Sequence, residues 1–431
     1  MDTTARALHT DLIETLKVRL TSTEFMERHR RSPKDFIRKR SLTFVIVVLF
    51  LLNMVKRALQ DELDEFFKLL SGEEVASRVV TKSAFSQARK KLSYEAFIEL
   101  NALQVEYFYR HYDYETWQGF RLLAVDGSSN ELPESEDIIK HFGLWKGVPV
   151  ARVSQLFDVL NGVSVETRIG PKEKGEREFA VLHFEKIGAG DLVLMDRGYP
   201  AFWLFALLHH KKAHFCARMP AGVWTEVDRF IASEKKEQLV QLSPSVPSLK
   251  KCQTLGLDCL PLTVRLIRID LDNGEVEVLV TSLLAPREYP RSLFKKLYHL
   301  RWGVEESYKF FKSRLELENF SGKSALSVYQ DFHAKIFTAN LTAILAHPAQ
   351  KVVKEQSRNK KYAYRINFTQ ALSKMKNTIV LFFQKPSITE ILRRFQNVIT
   401  RTIEPVRPNR KYPHKERIRP KKFSMSYKPI R

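Results

Sequence analysis

Two short stretches constrain this chain more than any others: "LLAVDG" at residues 122–127 and "LVLMDRG" at 192–198. Each is an apolar run about as long as one buried strand, and each ends on an aspartate, Asp126 or Asp196, with a glycine within two residues. A buried strand running straight into an acid and then a turn sets the carboxylate at the carboxyl edge of a sheet, where α/β folds build their sites. Aspartate also starts turns and caps helices, so one such acid says little. Two of them on strands expected to be neighbours point to a site.

The surrounding pattern is that of an α/β unit. "FRLLAVDGS", "VSQLFDVLNG" and "VSVETRIG" read as strands, "GEREFAVLHFEKI" as a helix, "DLVLMDRGY" as a strand, "PAFWLFALLHH" as a helix and "AHFCARM" as a fifth strand. Residues 220–285 read as β, with Asn273-Gly274 as a hairpin turn. Helices resume near 290 and run past 345. Before 115 the periodicity is helical, and "TKSAFSQARKKL" offers Thr81 or Ser83 as a cap and then sets Arg89, Lys90 and Lys91 together. That cluster reads either as a solvated face or as a phosphate contact.

Charge favours the second. The 431 residues carry a formal net charge of +22, more than solubility requires, so an acidic partner is expected, with nucleic acid ahead of an anionic membrane. The last stretch, 401–431, is dominated by Lys, Arg and Pro and should be an extended basic tail. The longest apolar run, "FVIVVLFLL" at 44–52, is too short to span a bilayer and reads as a buried helix. With no signal-peptide pattern at the start, a cytoplasmic location is expected. Cys216, Cys252 and Cys259 lack Cys-x-x-Cys or Cys/His ligand spacing, so the sequence supports neither a disulfide framework nor a zinc site, and they are expected to be packing residues.

A second acidic feature lies in "YHLRWGVEESYKFFK", 298–312. Read as one helix, Tyr298, Arg301, Glu305, Lys309 and Lys312 fall at roughly 0°, −60°, −20°, +20° and −40°, a single stripe, with Glu306 off it. The stripe is either a solvated face on which Glu305 pairs with Arg301 and Lys309, or a carboxylate held in place by cations that also face a polyanion. Carboxylates gathered in one pocket of a basic protein suggest a divalent metal, and hard oxygen ligands favour Mg²⁺ or Mn²⁺. Two such ions serve phosphodiester cleavage or transfer. Glu305 is the candidate third acid.

"LLAVDGSSNELP", "SQLFDVLNG", "GERE", "DLVLMDRGYPAFWLF" and Tyr298-x2-Arg301-x3-Glu305-x6-Lys312 together resemble the DDE transposases of bacterial insertion sequences, in the branch marked by a Tyr-Arg-Glu-Lys signature. The resemblance spans roughly 80–345. It implies an RNase H-like catalytic core interrupted by a β-rich insertion, with an α-helical N-terminal DNA-binding region at 1–115. The core would occupy 116–219 and 287–350, the insertion 220–286, a C-terminal helical region 351–400 and the basic tail 401–431. It also implies that Asp126, Asp196 and Glu305 bind two Mg²⁺ ions, replaceable by Mn²⁺, and that Tyr298, Arg301 and Lys312 contact transposon-end DNA. The expected partners are terminal inverted repeats and target DNA, with a homodimer in the synaptic complex.

One departure stands out. Some members place a Trp four residues before a Thr-Ser pair, where it stacks on a flipped base during a hairpin step. Here Thr281-Ser282 keep that register but the position holds Glu277, leaving Trp224 as a distant substitute that reads more simply as a packed aromatic. Two alternatives to a transposase remain at this stage: a catalytically silent DNA-binding relative, and a metal-dependent nuclease. A glycosidase, which also pairs acids, needs neither metal nor this charge.

Overall fold

The computed structural model describes residues 3–38, 40–271 and 274–407. The chain divides into two compact units, one of residues 1–113, 130–151 and 310–431, the other of 114–129 and 152–309.

The first unit is mainly helical. It begins with α1 (Thr3–Thr21), α2 (Thr23–His29), α3 (Phe44–Leu52), α4 (Leu59–Ser71), α5 (Lys82–Arg89) and α6 (Glu95–His111). The apolar run 44–52 is α3, capped by Thr43 and buried along most of its length, as its composition requires. Thr81 caps α5 by accepting from the Ala84 N–H at 3.2 Å. No described helix is long and apolar enough to cross a membrane.

The basic cluster at the end of α5 does not present three cations to solvent. Arg89 is buried and donates to Gln330, Ser321, the Ser327 carbonyl and Asp331, the last at 2.9 Å, so it anchors the helical core. Lys90 and Lys91 are exposed.

The second unit holds most of a nine-stranded sheet, the parts of the following elements that lie within residues 130–151 or beyond 309 belonging to the first unit. In chain order the elements are β1 (Arg121–Glu131), α7 (Glu136–Phe142), β2 (Leu144–Trp145), β3 (Val148–Asp158), β4 (Val163–Pro171), α8 (Glu176–His183), β5 (Asp191–Met195), α9 (Phe202–His210) and β6 (His214–Met219). There follow α10 (Thr225–Ala232), β7 (Glu237–Leu242), α11 (Val246–Thr254), β8 (Leu262–Asp270), β9 (Val276–Thr281), α12 (Ser292–His299) and α13 (Trp302–Ser313). The strand order is β2-β3-β1-β5-β6-β9-β8-β7, with β4 paired to β3. β1, β5 and β6 are parallel, whereas β9, β8 and β7 continue the sheet antiparallel.

The reading of 220–285 as β is corrected by α10 and α11, which lie between its strands. "TEVDRFIA" buries Val227 and Phe230, three residues apart on one helical face, and Pro247 opens α11 at its first turn. The expected Asn273-Gly274 turn lies partly outside the described residues, and Gly274 itself has φ +84°. The cysteine reading is also corrected: Cys252 at the end of α11 and Cys259 in the loop after it form a disulfide, because the chain folds back to bring their Cα atoms to 6.2 Å, while Cys216 is buried as expected.

The chain closes with α14 (Ala325–Gln356), β10 (Ala363–Ile366), α15 (Phe368–Gln384), α16 (Thr389–Arg401) and β11 (Ile403–Val406), all in the first unit. α14 starts with a Ser324/Ser327 capping box and is buried over most of its length. The basic tail lies outside the described residues beyond 407.

Candidate active site

The register of β1 on β5 aligns Arg121 with Asp191 and ends at Val125 opposite Met195. An Arg121–Asp191 ion pair with contacts of 2.7 and 2.8 Å pins its start. The next residue on each strand path is the candidate aspartate, so Asp126 and Asp196 stand at the same level, but only Asp196 follows the end of its strand: the turn expected after Asp126 is absent, because β1 runs on through the acid to Glu131. Neighbouring strands are about 4.8 Å apart, and residues in register share a face, so the two carboxylates are neighbours.

Their electrostatics agree. Burial pushes the Asp126 carboxyl up to about 7, against the pull of the Gly127 N–H; Asp196 and Glu305 raise it further and Arg301 opposes them. Asp196 accepts the Gly198 N–H on Oδ1 at 2.8 Å, which folds the turn back on the carboxylate. A Cβ on Gly198 would lie 3.1 Å from that oxygen.

Glu305 arrives on α13, and here the single-helix expectation is corrected. The segment is two helices, α12 and α13, broken at Leu300-Arg301 by tight turns in which the N–H groups of Arg301 and Val304 reach back only three residues. A Cβ on Gly303 would come 3.4 Å from the Val159 side chain, so the start of α13 sits against the residue that follows β3. The stripe is therefore not straight. Arg301 still pairs with Glu305, at 2.6 Å, but the Lys309 ammonium lies 5.9 Å from the centre of the Trp302 ring. Glu306 is exposed.

Arg301 is buried, lies 5.6 Å from the centre of the Tyr298 ring, and keeps Nε and Nη1 without a hydrogen-bond partner. Tyr298 is also buried, its hydroxyl 3.4 Å from the Met195 carbonyl that precedes Asp196. Lys312 lies at the end of α13, within the residues of the first unit, 3.9 Å from Glu318. Thus Asp126, Asp196, Glu305, Arg301 and Tyr298 meet in one unit.

Sequence reasoning passed over several neighbours. The Tyr308 hydroxyl donates to the Asp126 carbonyl at 3.0 Å, and the buried Tyr199 faces the same acids; burial first, then Asp126, holds both phenols well above their usual range. Glu176, in the quoted "GERE", lies against Gly127 and pairs with Arg152. The available signal was position: Tyr308 is three residues after Glu305, and Tyr199 three after Asp196. Away from the site, Glu277 pairs with Arg218 at 2.8 Å, and Trp224 packs 6.2 Å from Phe205, as a packed aromatic would.

Among the described residues, no three His, Cys, Asp or Glu side chains are already spaced to hold a metal ion. The donor chemistry nevertheless fits one. Three carboxylates share one electrostatic field, one of them poorly ionised because of burial and its acidic neighbours, and a hard cation relieves that repulsion. Glu305 Oε1 is paired with Arg301 at 2.6 Å.

The family described as "Transposase DDE domain" matches residues 117–341. The transposase InsG for insertion sequence element IS4 of Escherichia coli (strain K12) is 24% identical over 297 residues, 67% of this chain and 66% of that protein, just short of two thirds of its length. Among solved structures, a piggyBac transposase synaptic complex with hairpin DNA aligns over 90% of this chain and 85% of its own, at 9% identity and a TM-score of 0.46.

Proposed function

The chain belongs to the DDE-domain transposase family, and from that premise we propose that it is the transposase of an insertion sequence, of the branch with the Tyr-Arg-Glu-Lys signature, which binds terminal inverted repeats, cleaves their ends and joins the freed 3′-OH to target DNA. The observation that carries the proposal is the coupling of Asp126 to Asp196, Glu305 and Arg301, with the two aspartates at the same level where the pairing of parallel β1 and β5 ends. The strand order β4-β3-β1-β5-β6, with α8 and α9 between the later strands, supports an RNase H-like core, and β7–β9 with α10 and α11 are its insertion.

In this reading Asp126, Asp196 and Glu305 hold two divalent ions, Mg²⁺ or Mn²⁺, which when bound activate the attacking oxygen and stabilise the leaving one. The chain's own residues do the rest. Arg301 offers two buried, unpaired N–H donors to a DNA phosphate while its third nitrogen orients Glu305. Tyr298 supports the Arg301 guanidinium from its ring face, and Lys312 adds charge farther along the helix. Two copies pair two ends in the synaptic complex.

The test is cleavage and joining of DNA carrying the repeats that flank the coding region, with Mg²⁺ or Mn²⁺. Asp126→Ala, Asp196→Ala and Glu305→Ala should each abolish both steps while retaining end binding. Unimpaired cleavage by Glu305→Ala overturns the site assignment. Cleavage without any joining marks a nuclease, and binding without cleavage under either metal marks a silent relative.

A further inference from the structure

The "GERE" motif opens α8, and its first turn reaches the turn after Asp196 and the residue after Asp126 in β1. Arg177 donates from Nε to the Gly198 carbonyl at 3.0 Å and from Nη2 to the Pro200 carbonyl at 3.1 Å. Gly198 in turn donates its N–H to Asp196 Oδ1 at 2.8 Å. The residue that grips the carboxylate is therefore itself gripped from the other side, by a planar cation whose two donors are fixed relative to each other. The same turn presents Glu176 to the other strand: its Cγ, Cδ and Oε1 stand 2.7 Å from where a Cβ on Gly127 would lie, and Arg152 holds the carboxylate there.

We propose that Arg177 is a positioning residue for Asp196, clamping the turn 197–200 so that Oδ1 is taken by Gly198 and Oδ2 is presented for a divalent cation. An aspartate on a free turn rotates about χ1 and χ2 and loses rotamer freedom on binding an ion. One whose turn is already fixed loses less, which is why the partners of metal-ligating carboxylates affect affinity. Because Arg177 is exposed apart from these two contacts and α8 is anchored by its own buried face, Phe179, Ala180 and His183, the clamp is separable from the fold.

The inference rests on the reading of Asp196 as a metal ligand, so the experiment separates the two. MnCl₂ alone is titrated into the full-length protein without DNA, free Mn²⁺ being followed by electron paramagnetic resonance, and each variant is melted in parallel. Arg177→Ala should raise the Mn²⁺ Kd by about 10–100-fold, the usual effect of removing such a partner, with the melting temperature little changed. Arg177→Lys, which keeps the charge but reaches one carbonyl, should fall between, and Glu178→Ala on the same turn should bind like the unaltered protein. Asp196→Ala is the reference. If it abolishes binding and Arg177→Ala leaves Kd unchanged, the clamp is overturned alone; if Asp196→Ala binds Mn²⁺ normally, the ligand assignment fails and the clamp with it. Should Arg177→Ala not fold, an unchanged Kd in Arg177→Lys overturns the clamp.

Discussion

The Arg301 guanidinium lies 2.6 Å from Glu305 Oε1 and 5.6 Å from the centre of the Tyr298 ring, so the carboxylate on α13 is neutralised by a cation one turn before it. Removing that cation leaves Asp126, Asp196 and Glu305 to repel each other unless a metal replaces it. Arg301→Gln should therefore lower stability by about 1–3 kcal/mol in EDTA, part of which Mn²⁺ restores. In a Glu305→Gln background the same change should cost much less. Melting temperatures of the four proteins with EDTA and with Mn²⁺ check this; an equal drop under both conditions removes the argument.

Asp126 makes the opposite prediction. Its folded carboxyl is pushed up to about 7 from an ordinary value of 3.8, first by burial. Between these values the folded protein holds a proton that the unfolded chain has lost, so this group's contribution to stability is fully present below about pH 4 and declines as pH rises to about 7. Asp126→Asn should therefore stabilise the metal-free protein at pH 8, by an amount on the order of 1–3 kcal/mol, and have little effect near pH 4. Denaturant melts at the two pH values decide it. A variant no more stable than the original at pH 8 means that Asp126 is not strained.

Much of this site is legible in the sequence because strand length and polarity determine it. "LLAV" and "LVLM" read as buried strands and are buried strands; the acid after "LVLM", Asp196, emerges at the strand end as expected, whereas Asp126 lies within β1, which continues to Glu131. The break at Leu300-Arg301 was not legible: "LYHLRW" contains no proline or glycine, and the start of α13 packs against Val159, 144 positions before Gly303 in the chain. The same holds for Arg89, whose partners Gln330 and Asp331 are 241 and 242 residues away. The roles of Glu176 and Arg177 depend on which loops α8 faces, and helical periodicity does not encode that.

Gly127 illustrates such a dependence. Its φ is not positive, so its requirement for glycine is steric: an added Cβ meets Glu176, which Arg152 prevents from swinging aside. Gly127→Ala should cost about 1–3 kcal/mol by overpacking and displace Asp126, lowering cleavage at least tenfold. Glu176→Ala makes room, so the double variant should be more stable than Gly127→Ala alone. Double-mutant melts test this, and additive losses exclude the contact.

The basic end of α5 places a buried anchor and two exposed cations within three residues. Arg89 makes a 2.9 Å ion pair with Asp331 and is 5% exposed, and its partner also accepts from the Ser321 hydroxyl at 2.9 Å. Arg89→Met leaves Asp331 buried without its cation and should cost about 3–5 kcal/mol. Lys90 and Lys91 are exposed, and Lys91 has only a 3.9 Å pairing with Asp35. Lys90→Ala and Lys91→Ala should leave the melting temperature within about 1 °C, because exposed charges contribute little to stability. If these lysines meet phosphates, each removal should reduce the slope of log K against log salt for end DNA by about 0.9. Binding isotherms at several salt concentrations read that slope. A lysine whose loss leaves the slope unchanged makes no phosphate contact, and an Arg89→Met protein that melts normally refutes the anchoring role assigned to Arg89.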